Sequence, residues 1–282
     1  MRVRIATLPG SADRPNEDHA VADAGTAVVV DGLTARTATH CVHGVAWFAA
    51  QLARDVRDAR DASPREALRA GIARTAVRHA GTCDLDAPAT PCAAVGVVRV
   101  GEGLLRYAVL GDVSVVLGGD RVVSDQRVTE AGREQRAAAV RLPLGSGSRA
   151  DALVAMKRAE IAQRNRPGGY WTAAADPAAA DHALAGEVPL RELTRVALLS
   201  DGAARAVDPF GLTDWAGVLD LLGADGPDAL LARVRAAERT DPDATRWPRT
   251  KVSDDATAVL CHDLLGHGLP HDDLREDACA SR

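Results

Sequence analysis

Apolar residues recur along the chain with two different periods, and the switches between them mark its elements. Residues 2–7 and 26–30 are short apolar runs that read as strands. From about 39 to 60 the period lengthens, placing Val42, Val45, Ala49, Leu52 and Val56 on one helical face. Ser63-Pro64-Arg65-Glu66 is a capping box with proline at the first helical position. It predicts a second helix to about 80, with Leu68, Ile72 and Ala76 inward. After the loop "GTCDLDAPATP", the runs "CAAVGVVRV", "LLRYAVLGD", "VSVVLGG" and "RVVSD" read as a four-stranded antiparallel meander. The pattern weakens from about 127 to 175, where "RADALVAMKRAEIAQRN" is helix-like and "RPGGYW" interrupts it. "LTRVALLSDG" is a further buried strand, "FGLTDWAGVLDLLG" and "GPDALLARVRAAERT" are amphipathic helices, and "DDATAVLC" is a last strand. This order predicts an α+β layered domain with helices on both sides of antiparallel sheet. No repeat or linker divides it, so one domain is expected over 1–265, with a polar, disordered tail over 266–282.

Composition narrows the classes. Hydrophobic residues make up 46% of the 282, enough for a substantial core, and with only 3% aromatic that core must be mostly Val, Leu, Ala and Ile. No apolar run of about 18 residues is present, and the N-terminus has no apolar leader segment. A cytoplasmic, monomeric protein is the expectation. The net charge is -5, Lys157 and Lys251 are the only lysines, and no basic run is interleaved with aromatics, which argues against a nucleic-acid partner. Cys41, Cys83, Cys92, Cys261 and Cys279 form no CxxC pair; they read as reduced, structural thiols without zinc-site spacing.

Acidic residues gather at strand edges. "AVVV" ends at Asp31-Gly32, "VALLS" at Asp201-Gly202 and "RYAVLG" at Asp112. Asp254-Asp255 precede "ATAVLC", and Glu17-Asp18 open a short strand. Any one of them is ordinarily a cap or turn residue. If the five edges meet, the carboxylates repel unless cations neutralise them. Oxygen donors without His or Cys suit Mg²⁺ or Mn²⁺. Two such ions about 4 Å apart can activate a water and hold a phosphate oxygen.

"NEDHA", "VVVDG", "LGD", "LLSDG" and "SDDATAVL", in this order, resemble the metal-dependent serine/threonine protein phosphatases of the type 2C (PPM) family, over about residues 10–262. The resemblance implies a four-layer αββα sandwich, two antiparallel sheets flanked by helices. It implies hydrolysis of phosphoserine and phosphothreonine by a water activated between two metal ions, Mn²⁺ or Mg²⁺. Asp31 would bridge the ions, with the Gly32 carbonyl as a ligand; Asp201 and Asp254 would complete the first site. Glu17 would serve the second, with Asp18 beside it, and Asp112 a third, weaker one. Arg14 would hold substrate phosphate, since a guanidinium suits bidentate oxygen contacts.

The sequence also departs from the family pattern. A His or Met and two glycines usually follow the Asp-Gly; here Leu33-Thr34-Ala35 stand. The usual Gly-Asp-Ser-Arg is Gly111-Asp112-Val113-Ser114, and the terminal Asp-Asn is Asp254-Asp255. The leaving-group acid is therefore missing, and His43, with His40 beside it, is the candidate to replace it. Tyr170 and Trp171, flanked by Arg164, Arg166 and two glycines, are read as part of a mobile flap. Two rival readings stand beside the protein phosphatase: a catalytically weak or inactive phosphatase fold acting as a binding or regulatory module, and a phosphatase of small-molecule phosphates.

Overall fold

The structure is a computed structural model, and it describes residues 1–59, 63–119 and 121–265. The tail expected over 266–282 lies outside them. The strands are β1 (Arg2–Leu8), β2 (Asp18–Ala22), β3 (Thr26–Gly32), β4 (Ala93–Gly101), β5 (Leu104–Leu110), β6 (Ser114–Val116), β7 (Val122–Val123), β8 (Leu184–Pro189), β9 (Arg195–Leu199) and β10 (Ala256–His262). The α-helices are α1 (Gly44–Arg57), α2 (Pro64–His79), α3 (Arg127–Glu130), α4 (Arg133–Val140), α5 (Gly147–Gln163), α6 (Asp201–Ala204), α7 (Trp215–Ala224) and α8 (Pro227–Thr240). Two antiparallel five-stranded sheets form, in the orders β1-β10-β9-β6-β7 and β2-β3-β4-β5-β8.

Alternation within each strand builds the layers. Val28 and Val30 of β3 face outward and pack with Phe48, Leu52, Leu68 and Ile72 of α1 and α2. Ala27 and Val29, one residue out of phase, face the other sheet and meet Val115, Leu198 and Val259. On the far side Leu199 and Leu260 pack against Leu222, Leu230 and Val234 of α7 and α8. Small aliphatic side chains fill all three layers, each fully buried Val or Leu contributing about 1.5–3 kcal/mol of burial. The expected αββα sandwich is what the chain forms.

Three expectations change. The four strands of 93–123 are not one meander: β5 pairs with β8, and the chain crosses at Asp112 so that β6 pairs with β9 in the other sheet. Strand β8, with no strong alternation, carried no sequence signal. The first helix starts at Gly44, not near 39, and Val42 is 76% exposed, so 33–43 is a loop. Tyr170 and Trp171 are not a flap. Tyr170 is buried against Leu33 and Val128, and Trp171 stacks on His182 at 3.4 Å. Backbone pairing of Ala173 with Ala93 fixes this stretch to the start of β4.

Candidate functional site

Why a buried strand ends in a carboxylate follows from its pleat. Asp31 shares parity with Ala27 and Val29, so it lies on the face turned toward the second sheet. Asp18 is its direct partner across the β2–β3 ladder and shares that face. There the second sheet ends as well: β9 leads into Ser200 and Asp201, and the Asp201 N–H donates to Asp31 Oδ2 at 3.0 Å. Asp254 enters just before β10, and Asp112 at the crossing after β5.

Asp31, Gly32, Asp112, Asp201 and Asp254 line one cavity of about 110 Å³. Close approach is required here, since a Cβ on Gly32 would stand 2.5 Å from the Glu17 carbonyl. Burial, then the charges of Asp201 and Asp254, push Asp18 up to about 8 despite hydrogen bonds from Ser200 and Thr257. Burial and then Asp201 push Asp112 up to about 7. Asp31 is raised well above the carboxylate range by burial and then by Asp201, Asp18, Asp112 and Asp254. Asp201 is raised by burial and then by Asp254.

Asp254 differs. Burial opposes its charge, but Lys251 and Arg205 outweigh that and lower its pKa. Arg205 bonds Asp254 Oδ2 at 2.9 Å, and Lys251 Nζ pairs with Asp254 Oδ1 and donates to Thr34 Oγ1 at 2.8 Å. Thr34 Oγ1 in turn donates to Glu17 Oε2, so the Glu17 carboxylate is engaged. Asp255 lies outside the cavity lining. Its two oxygens accept the Gly10 and Glu17 N–H groups, both at 2.7 Å, and clamp the β1–β2 connection.

Arg14 is exposed and lines a smaller crevice with Glu17, Thr34, Lys251 and Asp254. Sequence reasoning missed a second guanidinium, Arg36, which lines the acid cavity itself. It also missed Lys157, Glu160 and Arg136, which α4 and α5 bring over the cavity, with Glu160 held by Arg136 at 2.8 Å and Lys157 at 2.7 Å. One signal was available: both lysines of the chain line this cavity.

His43, expected as an acid, is not among the lining residues, nor is His40. Its Nδ1 faces the thiols of Cys83 at 3.3 Å and Cys41 at 3.8 Å, and its ring stacks on Trp47 at 4.0 Å. The late start of α1 causes this, because the loop 33–43 turns the side chain toward the end of α2.

A divalent cation fits part of the site. Asp18 Oδ2 is buried with no hydrogen-bond partner, and Asp31, Asp112 and Asp201 are crowded carboxylates that a cation would return to the charged form. Asp254 and Glu17 are already satisfied by groups of the chain.

No protein-family model and no curated protein sequence matches the chain. Solved structures do. PppA, a regulatory component of the T6SS in Pseudomonas aeruginosa, is 16% identical, covers 92% of this chain and 96% of its own, and superposes with a TM-score of 0.52. The Mycobacterium tuberculosis serine/threonine phosphatase PstP is 15% identical over 92% of this chain and 97% of its own, with a TM-score of 0.52. The chain has the fold of PPM-type serine/threonine phosphatases. A PstP catalytic domain in complex with two manganese ions superposes at 0.50, 14% identical, over 92% of this chain and 96% of its own. In this PPM fold four of the acidic strand edges, at Asp31, Asp112, Asp201 and Asp254, line the cavity, and the fifth stands beside it through the pairing of Asp18 with Asp31. Among the described residues no helix is long and apolar enough to cross a membrane.

Proposed function

We propose that the chain hydrolyses phosphate monoesters, with phosphoserine and phosphothreonine of proteins as its substrates, in a reaction dependent on Mn²⁺ or Mg²⁺. The observation that carries this reading is the packing of Asp31, Asp112 and Asp201 into one cavity, with Asp18 buried beside Asp31 across the β2–β3 ladder, where burial and mutual repulsion raise all four. Such a set is stable as carboxylates only with cations among them. Asp31 and Asp201, with Asp18 and Asp112 beside them and the Gly32 carbonyl in reach, would hold two ions, with Asp112 near a weaker third. When bound, the ions supply an activated water and charge neutralisation on the phosphate oxygens. The Asp201 N–H orients the Asp31 carboxylate. Arg36 at the cavity and Arg14 in the smaller crevice that shares Thr34, Lys251 and Asp254 with it offer guanidinium donors to the phosphate. The manganese complex of PstP supports the metal class. The test is hydrolysis of a chromogenic aryl phosphate with Mn²⁺ and with chelator, followed by a panel of phosphopeptides and small phosphates. Full activity in chelator overturns the reading.

One observation favours a second reading, a binding or regulatory module of low activity. Lys251 and Arg205 already compensate Asp254, so part of the acid set is neutralised from within. A chain that binds Mn²⁺ and a phosphopeptide without turnover would establish it.

A further inference from the structure

The loop that displaces the first helix ends in a side-chain cluster of which no member lines the acid cavity. Cys41 and His43 lie just before α1; His79 is the last residue of α2, and Cys83 follows it. Cys83 Sγ stands 3.0 Å from Cys41 Sγ and 3.3 Å from His43 Nδ1. Cys41 Sγ is 3.8 Å from both His43 Nδ1 and His79 Nδ1. All four ligand atoms fall within 4.8 Å of one another.

We propose that Cys41, His43, His79 and Cys83 form a closed, tetrahedral zinc site that staples the start of α1 to the end of α2. Bonds of about 2.3 Å to sulfur and about 2.0–2.1 Å to nitrogen make the ligand–ligand edges of a tetrahedron roughly 3.3–3.8 Å. The three sulfur–nitrogen separations, 3.3, 3.8 and 3.8 Å, match those edges, whereas the two sulfurs at 3.0 Å would have to part by about 0.8 Å to reach the roughly 3.8 Å edge of a zinc dithiolate. Two thiolates and two neutral imidazoles are a zinc set, and the two thiolates balance its charge. The spacing, Cys-x-His and His-x3-Cys, has neither a CxxC nor an HxxxH, so the sequence carried no zinc signal and only the fold brings the four side chains together.

The local backbone is built around these side chains. His43 stands at the N-cap of α1, a position that favours Ser, Thr, Asp or Asn, yet its side chain makes no cap bond. The Cys83 N–H donates to the His79 carbonyl at 3.0 Å, closing the turn that brings both ligands to one side. His40 takes a left-handed φ of 54°, and its carbonyl accepts the Asp84 N–H at 3.0 Å, tying the two ligand-bearing segments a second time. His79 is buried against Trp47 and Phe48, with Nε2 unpartnered and Nδ1 3.8 Å from the Cys41 sulfur. A buried imidazole nitrogen left unpartnered is costly, and among the described residues the polar contacts of this ring are all to the two thiols. The same loop carries Leu33, Thr34 and Arg36 to the acid cavity, so the staple fixes the segment that shapes its wall.

The test uses the full chain, reconstituted with zinc and freed of excess by gel filtration. Elemental analysis should give one tightly held zinc per chain, retained in Asp31→Asn and Asp201→Asn and in Cys92→Ser and Cys279→Ser. It should be lost in Cys41→Ser and in Cys83→Ser. Cobalt exchanged into the wild-type chain should give the visible bands of a tetrahedral thiolate centre, and two thiols should become reactive only on chelation. These two measurements stand even where a Cys variant fails to fold. A wild-type chain that holds no zinc overturns the proposal, as does zinc lost with the Asp variants and kept in both Cys41→Ser and Cys83→Ser. A Cys41–Cys83 disulfide in freshly purified, reconstituted protein also overturns it, in favour of a redox pair.

Discussion

The Asp201 N–H donates to Asp31 Oδ2 at 3.0 Å, and that bond joins the ends of two strands belonging to opposite sheets. It holds one carboxylate against the backbone that carries another. Two repelling groups are therefore kept close by the fold, and their charge is available to a cation.

Asp31→Asn keeps an oxygen to accept that bond and removes the charge. Phosphatase activity should fall on the order of a thousandfold or more, as for loss of a principal electrostatic group. The melting temperature in chelator should rise or stay level, because a repulsion is removed. A large fall in melting temperature with activity retained would contradict both assignments.

Lys251 competes with cations for Asp254 through its ion pair. Lys251→Met keeps the apolar stem and removes the ammonium. Mn²⁺ affinity, measured by titration calorimetry, should tighten roughly tenfold, equivalent to about 1.4 kcal/mol. Unchanged or weaker affinity would mean that Lys251 supports the site rather than opposing metal.

The chelated protein should lose stability as pH rises. Asp18 at about 8 and Asp112 at about 7 bind protons in the folded state that the unfolded chain has released above its ordinary value near 3.8. Between about 4 and 8 the unfolded state thus holds fewer protons, and stability falls with pH. Each 1 kcal/mol should appear as roughly 2–4 °C in a domain of this size. Saturating Mn²⁺ should flatten the slope, because it neutralises the same carboxylates. Melting curves at several pH values, with and without Mn²⁺, check this.

Asp254→Asn and Asp255→Asn should separate cleanly. Asp254 lines the cavity, and its loss should reduce activity strongly. Asp255 accepts two backbone N–H groups, at Gly10 and Glu17, and an amide can accept only one of them. Its replacement should cost about 1 kcal/mol of stability and leave activity largely intact. An inactive Asp255→Asn beside an active Asp254→Asn would reverse these roles.

His43→Gln distinguishes a proton donor from a structural ligand. A donor is needed for alkyl leaving groups and not for aryl ones. With His43 turned to the thiols, both substrate types should be affected equally, alongside a loss of thermal stability. A loss confined to phosphoserine peptides would return His43 to the reaction.

The sequence by itself determined the layered sandwich and the carboxylates at its strand edges. Both are local: the unbroken apolar runs of β3 and β9 mark strands buried on both faces, and a charged residue ending such a run sits where the sheet stops. Tertiary structure decided which partners those charges meet. Lys251 lies far in sequence from Asp31 and Thr34, and only the docking of the second sheet brings it among them. His43 and Cys41 meet His79 and Cys83 because the start of α1 packs against the end of α2. No periodicity encodes that contact, since it depends on where each helix begins, and the helix pattern placed the first start several residues early. Burial is written in the spacing of apolar residues, whereas a ligand set depends on the relative placement of distant segments, fixed only when the layers pack.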